Sequence, residues 1–228
     1  RLVVTTGTML YPNNNTFETL SFWFGTGRVF SYDWTQLTDW IYLSHSGQMK
    51  GQFGYGITLF AEDEFYKNIL FEDNYGLEIS FEKSFSKSIS FNIKPKFGTE
   101  IIRVDAPYQA RNTGLGLGIE LKPSDEFKLN FRMNQSKSIR FENDEVVYSD
   151  MIARARFEYQ ATTFLNFRLV AQYHRYYDTF DIQPLISYQP GPFSIFYFGT
   201  SRTYDTSFPG WKESYGQIYL KVQKLFSF

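Results

Sequence analysis

The sequence has no cysteine, only two histidines and no uninterrupted apolar run long enough to form a membrane helix. Without cysteine there is no disulfide framework, no thiolate metal site and no thiol nucleophile. A helical span needs roughly 18–20 consecutive apolar residues, so helical passage through a membrane is excluded. An excess of one charge sign is missing too: 23 Lys and Arg stand against 24 Asp and Glu, a formal net charge of −1. Nucleic-acid binders need a basic excess or a clustered basic face, so no nucleic-acid partner is expected. The opening "RLVVTTGTML" reads as strand, not as a charged start followed by an apolar run, so no secretory leader is read in it.

Aromatic residues are abundant. The chain has 25 Phe, 17 Tyr and 4 Trp, together 20% of its residues, a bias that favours strands. Most of the chain alternates with a period of two, which sends successive side chains to opposite faces of a strand. In "GLEISFEKS", Leu77, Ile79 and Phe81 oppose Glu78, Ser80 and Glu82. "EFKLNFRMN" sets Phe127, Leu129, Phe131 and Met133 against Lys128, Asn130, Arg132 and Asn134. "FLNFRLVAQYH" sets Leu165, Phe167, Leu169 and Ala171 against Asn166, Arg168, Gln172 and His174.

These runs exceed the five or six residues usual in a soluble sandwich and match the roughly 9–11 a tilted strand needs to cross a bilayer. Their polar column is also too charged to pack against a second sheet. The expected fold class is therefore all-β, an antiparallel transmembrane β-barrel of about 12–14 strands or more, with residues 1–228 forming one domain. Tyr11, Trp23, Trp40, Tyr148, Tyr159, Tyr177 and Tyr188 are read as interfacial girdle residues.

Turn signals divide the runs. "YPNNN", "SHSG", "SFSK", "KPSD", "QATT" and "QPGP" are expected at one end of the strands. Longer loops, including "FAEDEFYKNILFEDN" and "RVFSYDWTQLTD", are expected at the other. About thirteen strands are counted, and single-chain bacterial barrels have even numbers, so the chain is expected to be a C-terminal part of a longer barrel protein.

The final "QIYLKVQKLFSF" places Phe228, Phe226, Val222 and Leu220 in one column and ends on an aromatic. It resembles the signal that barrel-assembly machinery reads on outer-membrane proteins, with Lys224 departing from the pattern. Together with "FRLVAQY", "IQPLISYQPGP" and "IFYFGTS", it resembles the outer-membrane barrel family whose members carry an N-terminal carbohydrate-binding-family-9-like domain. The resemblance implies an upstream sandwich domain and offers no catalytic residues.

The lumen-facing set is expected to be Glu78, Glu82, Lys94, Glu120, Arg132, Arg154, Arg156, Glu158, Arg168 and His174. The basic stretch among them would favour anionic solutes, whereas full salt-bridging would only hold a barrel's shape. His174 precedes Asp178 by four positions, about 13 Å along a strand, so these two cannot touch, and no motif positions Ser187 or Ser201 as a nucleophile. His45 is read in an exposed turn. The acidic "AEDEFYKNILFED" matches no calcium loop and reads as a solvated loop. No enzyme activity, cofactor or metal is expected.

The functional expectation is a pore or transporter for small polar solutes or oligosaccharides in the outer membrane of a Gram-negative-type envelope. The alternative is a non-conducting structural or docking subunit of a larger outer-membrane complex. The expected partners are outer-membrane lipid, the assembly machinery and, on the alternative, other complex subunits.

Overall fold

The computed structural model describes residues 1–224. Thirteen strands follow one another: β1 (Leu2–Leu10), β2 (Phe17–Phe30), β3 (Gln36–Met49), β4 (Phe53–Tyr66), β5 (Ile69–Ser86), β6 (Ile89–Ile102), β7 (Tyr108–Leu121), β8 (Phe127–Arg140), β9 (Val146–Gln160), β10 (Leu165–His174), β11 (Thr179–Gly191), β12 (Ser194–Asp205) and β13 (Lys212–Lys224). They form one sheet in sequence order, and the registered pairs are antiparallel. This up-and-down meander is the strand plan of an outer-membrane β-barrel, the fold class that the alternation implies. β1 and β13 are the end members of the order, each bonded to one neighbour among the described residues.

The strand segments group into two compact units. The first holds Arg1–Ser84, Asn92–Gly116 and Gln135–Ser149; the second holds Phe85–Phe91, Leu117–Asn134 and the residues from Asp150 onward.

In both units the usual inside-out rule is inverted. Among the described residues, the buried residues other than glycine are Ser21, Phe71, Asn74, Ala110, Asn112, Ser138, Asp150 and Val170. By strand phase and register every one of them lies on the polar face, alongside residues such as Glu78, Glu120, Arg154 and Arg168. The apolar face is open: Leu43 is 55% exposed, Leu59 51% and Leu220 72%. A soluble monomer rarely leaves so much contiguous apolar surface in water. Strands that face hydrocarbon require it.

Four expectations about the connections are corrected. "SHSG" is no turn: residues 44–47 lie inside β3, and the chain reverses at residues 50–52, where Gly51 and Gln52 have positive φ. Small residues survive in that strand because Ser46 and Ser44 bond across to Ser21 and Thr58, at 2.7 and 3.0 Å. The acidic stretch is no loop either. β4 and β5 run through it to a two-residue turn at Lys67–Asn68, both left-handed as a type I′ hairpin requires.

His45 is therefore not in a turn but on the apolar face of β3. Its ring stacks on Phe22 at 4.3 Å, its Nδ1–H donates to the Ser21 carbonyl (3.0 Å), and Nε2 accepts from the Tyr55 hydroxyl (2.8 Å). Both ring nitrogens are thus satisfied, as a hydrocarbon-facing imidazole demands. Finally, the expected contrast between short turns and long loops is absent. Connections at both ends are short, the longest being residues 11–16 and 206–211, because the strands themselves extend into the segments read as loops.

Two local features carry predictions. In the β2–β3 connection the Ser31 hydroxyl, and then the Thr35 amide, donate to the Asp33 carboxylate, holding its pKa below the ordinary value. A depressed carboxylate contributes stability above its unfolded pKa of about 3.9 and loses it as pH falls through the folded pKa. Ser31→Ala should raise the Asp33 pKa toward the ordinary value in a carboxylate NMR titration.

Gly98 in β6 marks a close backbone approach: a Cβ there would lie 2.2 Å from the Tyr75 carbonyl oxygen and 2.7 Å from Gly76 Cα. Gly98→Ala should destabilise the fold by about 1–3 kcal/mol in urea titration of the vesicle-embedded protein. Gly191→Ala, which meets nothing within 4 Å, should be close to neutral.

Candidate functional site on the polar face

All ten residues expected to face a lumen lie, by strand phase, on the polar face. They do not form one cluster.

In the first unit, Glu78 on β5 pairs with Lys96 on β6 at 2.9 Å. Glu82 and Lys94 line a recess of about 330 Å³ with the hydroxyls of Thr19, Ser21, Ser46 and Ser80. The same face carries aromatic rings that the sequence reading assigned elsewhere. Trp23 and Trp40 are not girdle residues on the apolar side; they share a face with Ser21, Gly25 and Gly27. Each ring covers a cross-strand glycine: Trp23 covers Gly7, Tyr42 Gly25, Trp40 Gly27 and Phe60 Gly76, where the nearest ring atom would be 2.1–2.5 Å from an added Cβ. Trp40 and Tyr42 stack with centroids 5.8 Å apart, and the Lys96 ammonium stands 5.4 Å from the Phe60 ring centre. The signal was in the sequence: these aromatics are in phase with the serines and glycines, not with the aliphatic column.

The second unit holds the charge-lined recess, about 360 Å³, walled by Glu120, Lys128, Asn130, Arg132, Arg154, Arg156 and Glu158. β7, β8 and β9 deliver these side chains at every second position, so all aim to the same side. Both carboxylates are engaged. Glu120 receives Lys128 at 3.0 Å, Lys122 at 3.3 Å and the Asn130 amide at 3.4 Å, while Glu158 is bonded to Arg156. Arg132 and Arg154 have no ion-pair or hydrogen-bond partner among the described residues. Arg168, opposite Glu158 in register, has a buried Nε without a partner.

His174 closes the polar face of β10. Its partner is not downstream. Asp150, in the polar column of β9, accepts from His174 Nε2 at 2.8 Å, and also from the Tyr176 amide at 3.1 Å and its neighbour Met151's amide at 2.7 Å. The Tyr177 ring packs edge-on against the imidazole at 4.6 Å. Asp150 was absent from the expected set, although it stands four positions, two strand periods, before Arg154. With a carboxylate bonded to Nε2 and a tyrosine ring against the ring face, this His is held as a structural bracket. Among the described residues no group of three or more His, Asp or Glu forms a metal cluster.

Gly199 lies on the polar side of β12, under the Tyr219 ring, whose hydroxyl would be 2.6 Å from an added Cβ. In the terminal signal, Leu220 and Val222 are exposed on the apolar face of β13. Phe226 and Phe228 lie outside the described residues.

No family model matches the chain, and no curated protein does. The family resemblance read from "IQPLISYQPGP" and the terminus thus agrees with the strand plan and gains no further support. Among solved structures, the CymD monoaromatic hydrocarbon channel is similar at 10% identity with a TM-score of 0.38, covering 99% of this chain and 87% of that one.

Proposed function

We propose that the protein is a pore or transporter of the outer membrane, passing small polar solutes, oligosaccharides included, along a lumen formed by its polar face. One observation carries this reading: every buried residue other than glycine among the described residues is on the polar face, while the aliphatic face is left open. Hydrocarbon would cover that open face, and the polar face would enclose water. The walls suit polar traffic. The second unit offers a charged recess that its own residues leave incompletely paired; the first offers a hydroxyl-lined recess and, on the same face, aromatic rings, which can stack against the apolar faces of sugar rings.

Purified protein reconstituted in a planar bilayer is expected to give stepwise ion current, reduced by added maltooligosaccharide. An electrically silent protein that is nevertheless inserted and folded would favour the alternative, a docking subunit. The apolar column of β13 at Leu220 and Val222 would then be the first surface to search for a partner by crosslinking.

A further inference from the structure

Given a lumen as proposed above, we infer that the recess of the second unit is an anion site, selecting small solutes that carry a carboxylate or phosphate group. The charge balance of the walls is uneven. Lys128, Arg132, Arg154 and Arg156 face Glu120 and Glu158, an excess of two positive charges. Glu120 is shared by two lysines and Glu158 is bonded to Arg156, so neither wall carboxylate serves Arg132 or Arg154. Side chains that only braced a wall would be matched in number, since an uncompensated guanidinium in a confined space is costly. These two sit on neighbouring strands and present their donors to the same recess. A guanidinium offers a planar fork that fits carboxylate and phosphate oxygens two at a time, a pairing that neutral sugars cannot make. Glu120 and Glu158 then act as selectivity elements: they hold Lys128 and Arg156 in place and disfavour larger polyanions by repulsion.

The test uses the full chain in detergent and in bilayers. Isothermal titration with succinate and with inorganic phosphate, and with sucrose as the neutral probe, reads binding. The reversal potential in a KCl gradient reads selectivity. Succinate and phosphate should bind, sucrose should not bind at the recess, and chloride should be favoured over potassium.

Arg132→Gln and Arg154→Gln should each weaken succinate binding by about tenfold or more and move the reversal potential toward zero. Glu158→Gln, which releases Arg156, should shift both readings the other way. Lys50→Gln, in the β3–β4 turn, should change neither. Far-UV circular dichroism checks that each variant retains its strands; should one arginine variant fail to fold, the other and Glu158→Gln still decide. Wild-type protein that binds neither anion, or folded arginine variants that bind as wild type does, would overturn the inference. Anion binding without any current would overturn the pore reading alone. Current that is indifferent to these residues would overturn the anion site alone.

Discussion

Replacing Leu169 with Arg should destabilise the vesicle-embedded protein by about 2–4 kcal/mol, the cost of a cation near the middle of the bilayer on a lipid-facing strand. Leu169 is central in β10 and shares the apolar face with its register partners Phe157 and Pro184. Gln172→Arg, on the opposite face beside Arg154 and Asp181, should cost less than about 1 kcal/mol, within the range of ordinary polar substitutions. Urea titration of both variants in vesicles compares them directly. Equal costs at the two positions would contradict the assignment of faces on which the functional reading depends.

The second large effect is expected at Asp150. Its side chain is only 11% exposed where it meets His174, and it also satisfies the amides of Met151 and Tyr176. Asp150→Ala removes the carboxylate that these amides and the imidazole share and should cost about 2–3 kcal/mol. His174→Ala alone should cost less, because the carboxylate keeps its amide donors. In the double variant the two losses should fall short of additive, as expected for groups in direct contact. A result in which the losses simply add would mean that the 2.8 Å pair contributes nothing to the fold.

Residues with mixed local signals show where sequence reasoning succeeds and fails. The alternation of Leu129 with Asn130, or of Leu169 with Arg168, is enough to place strands and assign faces, because side-chain direction in a strand follows from position alone. The "SHSG" stretch misled because Ser and Gly are turn formers by composition. Here they are spacers: Ser46 bonds to Ser21, and Gly47 lies under the Tyr55 ring. The acidic residues of β4 read as a loop because charge suggests solvent. In the structure they are anchored across strands, Glu64 by Arg103 at 2.9 Å and Asp63 by the Asp73 amide at 2.9 Å. Trp23 and Trp40 were assigned by residue type to a girdle, whereas their phase put them on the polar face.

By itself the sequence determined the all-β class, about thirteen strands and the face on which the charged side chains of the clearly alternating runs lie, since a two-residue period is a local property of the backbone. Tertiary structure decided which charges meet. Cross-strand register brings Asp150 to His174, ties Glu120 to Lys128 and leaves Arg132 and Arg154 unmatched, and register is set by how far each strand runs before its turn. A shift of one residue moves a side chain to the other face, and a shift of two keeps its face but changes its partner. Composition and periodicity are blind to that second shift, so the pairing could be read only from the folded sheet.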